Sequence, residues 1–258
     1  MKIVINDKKK KETFVSLFQV LKNCSSLISS KFELEQLHIQ GMDKSHVCLF
    51  DVKINKKWFT NYEITEVTKI CFDSNVFHSI ISTKSDNQDL IIKMDTLDED
   101  TLHINFVSQE VKKGDFKKTF KMPLVEYEYE ERTIPVVDYD AEFSLSSKQI
   151  SDMFSQLNNF GNDIIIKCAE EEINLTTNGV TGEMRVDIPI DDLTSYSIVE
   201  GEEINLTYSL AYINKMCITN KLSNDIEFSL SSDCPMKISY SLGEDSLLIF
   251  FIATKIGD

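Results

Sequence analysis

Apolar positions along the chain follow two periods, and the period decides the element. Phe14, Leu17, Phe18 and Leu21 stand at i, i+3, i+4 and i+7, as do Ile150, Met153, Phe154 and Leu157. Val76, Phe77, Ile80 and Ile81 make a shorter stripe, and Leu210, Ile213 and Cys217, with Met216 beside them, make a fourth. Each stripe is one face of an amphipathic helix of about three turns. Ser74 and Ser147 stand where a hydroxyl could accept from unpaired first-turn N–H groups and so cap a helix. Nearly all the rest alternates with period two, which turns successive side chains to opposite faces of a strand. Strands are predicted over 32–39, 47–54, 89–94, 101–107, 115–122, 141–145, 163–168, 173–177, 183–188, 203–208, 225–230, 236–240 and 246–252. Turn residues separate them at Ser85-Asp86-Asn87, Asn178-Gly179, Ser223-Asn224-Asp225 and Gly243-Glu244-Asp245.

The order of these elements occurs twice. A helix, a group of strands, a short helix and further strands precede residue 122, and the same order recurs after residue 140. KQISDMFSQLNNFGNDIIIKCAEEEINLTTNG mirrors ETFVSLFQVLKNCSSLISSKFELEQLHIQG at an offset of about 135 residues. The pattern repeats while the identities do not, as expected of a structural duplication. The fold class is therefore α+β: two similar domains, 1–121 and 141–258, each with two helices packed on antiparallel sheets. Between them 122–140 is an extended connector. It is rich in glutamate and tyrosine and held open by Pro123 and Pro135.

Composition narrows the function by exclusion. The 258 residues suffice for two cores, and the longest apolar run, SLLIFFIA, is too short to span a bilayer, so no membrane partner is expected. No signal peptide opens the chain, which reads as soluble and intracellular. Six scattered cysteines lack metal or disulfide spacing and are expected to be buried small side chains. Phosphate-binding glycine loops, HExxH and G-x-S-x-G are all absent, and the four histidines are far apart. Acid clusters such as Asp98-Glu99-Asp100 fall at turns, where a solvated loop is the plain explanation. The sequence reads as a non-enzyme without metal or cofactor. Its formal charge is −15, from 42 acidic against 27 basic residues, a surface that repels polyanions at a distance.

One stretch stands out, because it places Met42, Asp43 and His46 in the break between two ordinary strands. LHIQGMDKSHVCLFDVKI resembles the most recognisable segment of the proliferating cell nuclear antigen (PCNA) family of sliding clamps. FGNDIIIKCAEEEINLTTNG is similar to the family's second-domain segment, and DCPMKISYSLGEDSLLIFFIATKI to its closing pattern of a D-x-P turn and a last strand. The resemblance is colinear over essentially the whole chain. It implies the DNA clamp fold and a homotrimeric ring around duplex DNA, bound without sequence preference. It also implies a processivity function for a DNA polymerase in replication and repair, and a clamp loader as a further partner. A nuclear location follows for a cellular member, and a nuclear or cytoplasmic replication site for a viral one; the divergence suits a virus-encoded or divergent eukaryotic clamp. The alternative is a non-ring or heterotrimeric protein of the same fold: a monomeric processivity factor, a checkpoint-type subunit or a transcription-related scaffold.

The resemblance also assigns sites. Clients of the family carry a PIP-type motif with a glutamine, an aliphatic residue and two aromatics. Its pocket would be built here by Met42, His46, Val47, Leu49, Arg132, Ile134, Pro135, Pro235, Phe251, Ile252 and Ala253. Arg132 departs from the aliphatic residue usual in the connector, and Thr254 replaces a proline. Glu170 stands where eukaryotic members carry a ubiquitin-accepting lysine. Lys8, Lys9, Lys10, Lys11, Lys22, Lys84, Lys148, Lys215 and Lys221 would face DNA from the helices lining the hole. The ring would close by antiparallel pairing of 115–122 with 181–187 of a neighbour, through Phe116, Lys118, Phe120, Glu183, Met184 and Val186.

Overall fold

The structure is a computed structural model that describes residues 1–95, 98–110, 113, 115–127 and 129–255. In chain order its elements are β1 (Lys2–Ile5), α1 (Lys8–Cys24), β2 (Leu27–Phe32), β3 (Gln36–Met42), β4 (Cys48–Asn55), β5 (Asn61–Glu63), β6 (Thr68–Asp73), α2 (Ser74–Ile81), β7 (Gln88–Asp95), β8 (Asp98–Ser108) and β9 (Lys118–Pro123). The second half contributes β10 (Ala141–Ser146), α3 (Ser147–Leu157), β11 (Asp163–Cys168), β12 (Glu172–Gly179), β13 (Gly182–Pro189), β14 (Ser195–Ile198), β15 (Ile204–Ser209), α4 (Leu210–Met216), β16 (Asp225–Ser231), β17 (Cys234–Gly243) and β18 (Ser246–Ile252). They cluster into two units. Unit 1 is Met1–Gly41, Asp51–Glu131 and Leu242–Leu247, and unit 2 is Met42–Phe50, Arg132–Ser241 and Leu248–Asp258.

The duplication is visible in the strand order. In unit 1 the hydrogen-bonded neighbours run β5-β1-β7-β8-β9 and β6-β2-β3-β4. In unit 2 they run β14-β10-β16-β17-β18 and β15-β11-β12-β13. Adding nine to each strand number of the first unit gives the second. Pairing is antiparallel, as in β1 with β7 and β10 with β16.

Aromatic side chains fill the space between helices and sheets. In unit 1 Phe18 and Phe77, from α1 and α2, meet at 4.5 Å, and Phe72 of β6 lies 4.6 Å from Phe77. In unit 2 Phe143 stacks on Phe228 at 4.9 Å, with Phe154 of α3 edge-on at 5.9 Å. Each ring contributes about 2–3 kcal/mol by leaving water. Gly179 is required by close approach, because a Cβ there would lie 1.9 Å from the Phe160 carbonyl oxygen.

Several local expectations change. The strand expected over 32–39 is two strands, β2 and β3, with a tight turn at Glu33–Glu35 where the Glu33 N–H donates to the Gln36 carbonyl at 2.9 Å. That turn contains no glycine or proline, and Leu34 keeps the alternation while lying 51% exposed. The strand expected from 115 begins at Lys118. The sequence reading does not include β1, β5, β6 and β14; β1, β5 and β14 are three or four residues long, too brief for diagnostic alternation, while β6 buries Ile70, Cys71 and Phe72 in succession and so shows none. Nor are the expected serines the caps. Asp73 caps α2, accepting from the Asn75 and Val76 N–H groups at 2.8 and 3.0 Å. Ser74 and Ser147 are buried first-turn residues whose hydroxyls donate to the carbonyls of Ser25 and Ser223, each at 2.6 Å.

Candidate peptide-binding groove and helix-borne charge

Three stretches of unit 2 that are distant in sequence line one groove of about 240 Å³. The end of β3, the β3–β4 loop and β4 supply Met42, His46, Val47 and Leu49, and the connector supplies Arg132, Thr133, Ile134, Pro135, Val137 and Tyr139. The C-terminal hairpin supplies Cys234, Pro235, Phe251 and Ala253. All the expected pocket residues are there except Ile252. Alternation along β18 turns its side chain away from Phe251 into the core, where it is fully buried.

The loop owes its shape to Asp43. Its buried carboxylate accepts from the Ser45, Val47 and Cys48 N–H groups at 2.8, 2.8 and 2.7 Å, and from the Tyr212 hydroxyl of α4 at 2.9 Å. Burial works against the charge, but these bonds from Cys48, Ser45, Tyr212 and Val47 outweigh it and hold the carboxyl below its ordinary value. They also hold His46 at φ 58°, a left-handed conformation unusual for a side chain other than glycine. The Ala253 N–H donates to the Val47 carbonyl at 2.9 Å and ties the C-terminal segment to the same loop. Burial, and then the neighbouring Cys234 thiol, push the Tyr139 hydroxyl up to about 12, so it stays a neutral donor at the groove wall. The result is a largely apolar trough with polar groups at its margin, suited to aromatic and aliphatic side chains.

Sequence reasoning singled out Asp43 without giving it a role, and missed Tyr212, Tyr139 and Cys234. An aspartate two residues before a serine is an Asx-turn signal and could have revealed that role. Nothing local marks Tyr212, which lies 169 residues from its partner.

The lysines expected to meet DNA divide into two groups. Lys8 and Lys9 are exposed at the start of α1, Lys148 is exposed on α3, and Lys215 and Lys221 are exposed at and beyond α4. Lys10 lies 3.7 Å from Glu244 and over the Trp58 ring, and Lys22 is half-buried, 3.1 Å from His78 Nδ1. Lys84 is only 13% exposed and pairs with Asp86, which also holds Lys8 at 2.7 Å. Lys11 does not fit a DNA-contacting position. It is fully buried, its ammonium donating to the carbonyls of Asp86 and Gln88 at 2.8 and 2.5 Å, and burial lowers its affinity for a proton. It ties α1 to the turn before β7.

Taken together the four helices hold seven lysines and two acidic residues, Glu12 and Asp152, while the rest of the chain has 20 basic and 40 acidic residues. Charge is thus segregated by element on a chain of net −15.

The two strands expected to join subunits each end a sheet: β9 in unit 1 and β13 in unit 2. On β9 Lys118 and Phe120 are half-buried and Lys121 exposed. Phe116 precedes the strand and is 76% exposed. On β13 Met184 and Val186 share the half-buried face, and Glu183, Arg185 and Asp187 are exposed. Among the described residues no helix is long and apolar enough to cross a membrane, and no cluster could hold a metal ion.

Residues 8–131 match the family model of the proliferating cell nuclear antigen N-terminal domain, and residues 133–255 match that of its C-terminal domain. Among curated proteins, proliferating cell nuclear antigen 2 of Plasmodium falciparum is 24% identical over 254 residues, covering 95% of this chain and 96% of that one. The DNA polymerase sliding clamp of Thermococcus fumicolans is 22% identical over 245 residues, covering 95% of each. Among solved structures, the PCNA2–PCNA3 complex of Sulfolobus tokodaii superposes with a TM-score of 0.87 at 20% identity, covering 99% of both chains.

Proposed function

The chain belongs to the proliferating cell nuclear antigen family of DNA sliding clamps, and from that premise we propose that three copies close around duplex DNA and tether a polymerase and other replication or repair proteins. The observation that carries the tethering half is the groove of unit 2, where Met42, Leu49, Ile134, Pro235 and Phe251 converge from separate stretches of chain. A client turn would seat its aromatic pair among them, and the flexible thioether of Met42 would let the wall repack around different partners. His46 and Ala253 would meet the client's glutamine and backbone. Ile252, buried on the opposite face of β18, has no part in the groove wall.

The encircling half rests on the charge carried by the helices. Lys8, Lys9, Lys10, Lys22, Lys148, Lys215 and Lys221, with Lys84 as a partly screened neighbour, would hold phosphates weakly and without base contacts. Such contacts allow sliding. An acidic remainder would repel DNA from other surfaces. The joint would pair β9 of one copy with β13 of the next, lysines facing acids along two edges that lack a partner strand within their own sheets. The protein would act without catalysis of its own, by keeping its clients at the DNA.

The relative solved as a complex of two different clamp proteins supports a second reading, in which this chain joins a mixed ring. Mass in solution at micromolar concentration separates the two readings, since a homotrimer has three times the chain mass without added subunits. Stimulation of a polymerase on primed circular DNA tests the function itself. A monomeric chain that gives no stimulation would overturn the homotrimeric reading.

A further inference from the structure

In unit 1 the start of the connector lies beside β6, yet the two do not make a continuous ladder. The Ser74 N–H donates to the Ser26 carbonyl at 2.9 Å, and antiparallel bonding alternates from there. Phe72, Ile70 and Thr68 turn their backbone groups to β2, opposite Ile28, Ser30 and Phe32. Cys71 and Lys69 therefore turn theirs to the connector. The Val125 N–H donates to the Cys71 carbonyl at 2.9 Å, and there the pairing stops. Among the described residues nothing bonds to the N–H of Cys71, or to the N–H and carbonyl of Lys69. A second tie comes from a side chain, the Lys69 ammonium donating to the Tyr129 carbonyl at 2.8 Å. Between β6 and the connector lies a groove of about 480 Å³. Glu126 and Glu130 line it without an ion-pair partner among the described residues, and Tyr127 beside them is 44% exposed. The cation of the lining, Lys69, is engaged with Tyr129 rather than with either carboxylate.

We propose that this groove is a second docking site, which takes an extended, arginine-bearing segment of a partner protein. The open backbone groups of Lys69 and Cys71 would receive the segment as an added strand, the mode of recognition that a free sheet edge offers. Main-chain bonds of this kind supply affinity without choosing a sequence. The choice comes from the facing wall. A guanidinium there pairs with the carboxylates of Glu126 and Glu130 and stacks on the Tyr127 ring. The net charge of −15 draws a basic segment in at long range, whereas an acidic one is repelled. The site lies wholly within unit 1 and requires neither the apolar groove of unit 2 nor a closed ring.

The test combines fluorescence anisotropy with hydrogen exchange at β6, on the full chain. The probe is an eight-residue peptide that alternates arginine with threonine and valine. Its controls carry glutamine in place of arginine, or a methyl group on alternate backbone nitrogens, which prevents a ladder. The arginine peptide should slow exchange of the Lys69 and Cys71 N–H groups. It should bind about fivefold more tightly than the glutamine peptide, by a ratio that shrinks as salt rises. In the double variant Glu126→Gln, Glu130→Gln that ratio should fall close to one, and the methylated peptide should neither bind nor protect. Absence of binding overturns the inference, as does equal affinity of the arginine and glutamine peptides or of the methylated peptide and its parent. Binding that leaves exchange at β6 unchanged, or an arginine preference that survives the double substitution, is general attraction to an acidic surface and overturns it too. Protection present without peptide and lost on dilution would place a second copy of this chain at the edge instead. The peptides lack the glutamine–aliphatic–aromatic motif, so each outcome is read separately from the client site of unit 2.

Discussion

Unit 1 and unit 2 share a strand order, but their surfaces differ wherever function is proposed. The helix α1 has 17 residues with five lysines, whereas α3 has 11 with one lysine and exposes Gln149, Asp152, Ser155 and Gln156. The outer strand β9 carries Lys118 and Lys121, while its counterpart for joining, β13, carries Glu183 and Asp187 around Met184 and Val186. Each unit also has a groove against the connector. That of unit 1 runs between β6 and Val125, Glu126, Tyr127, Tyr129 and Glu130 and is the larger, about 480 Å³ against about 240 Å³, but Lys69, Glu126 and Glu130 line it. Among the described residues no acid lines the smaller groove of unit 2, and its walls come from three stretches of chain. Buried positions answer to packing and stay alike in pattern, while exposed positions are free to diverge. The two grooves thus differ in wall chemistry as well as in volume, and the apolar lining of the smaller one is what suits it to the proposed client.

The comparison of edges breaks most sharply at Met184. Placing a charge on the half-buried face of β13 should abolish the joint, so Met184→Asp should sediment as a monomer that keeps a cooperative unfolding transition, whereas Lys118→Ala in β9 should weaken the trimer only modestly. A trimer of unchanged mass in Met184→Asp would remove these strands from the joint.

The grooves can be compared directly by peptide affinity. Phe251→Ala should weaken binding of a motif peptide by about 2 kcal/mol or more, as for a buried aromatic hot spot. Tyr127→Ala in the groove of unit 1 should leave that affinity within error. Equal losses would mean that both grooves, or neither, hold the client.

A somewhat smaller effect should follow from the loop itself. Asp43→Ala strands three backbone N–H groups and the Tyr212 hydroxyl, and should lower stability by about 2 kcal/mol while also weakening the peptide. Because the folded protein holds this carboxyl below its ordinary value of 3.8, its contribution is present above that value and lost as pH falls beneath it. Thermal unfolding of wild type and Asp43→Asn should therefore converge as pH falls beneath 3.8 and the folded carboxyl takes up its proton. Curves that stay parallel would show that the ionised carboxylate does not hold the loop.

The smallest effects belong to the helices. Lys9→Glu in unit 1 and Lys148→Glu in unit 2 should each shorten retention on circular DNA and flatten its salt dependence by about one to two phosphate contacts, with peptide binding intact. Lys11→Met, by contrast, should leave the salt dependence unchanged, because the buried ammonium faces carbonyl groups of its own unit.

The sequence by itself determined the elements and their repetition. The stripe from Phe14 to Leu21 and the alternation over 246–252 are local statements of which face is buried, and period alone distinguishes helix from strand. The segments around Met42, Pro235 and Phe251 were legible as parts of a site because they resemble a family, not because anything in their spacing shows that they meet. Tertiary structure decided what depends on neighbours distant in sequence. Four consecutive lysines, Lys8 to Lys11, look alike in the chain, yet helical rotation leaves Lys8 and Lys9 in water and drives Lys11 into the core against Asp86 and Gln88. Asp43 is one of many loop acids until α4 brings Tyr212 to it, and Ile252 and Phe251 are adjacent residues that a strand sends to opposite sides. In each case one-dimensional pattern fixes which side chains share a face, while the environment of that face is set only when the chain packs.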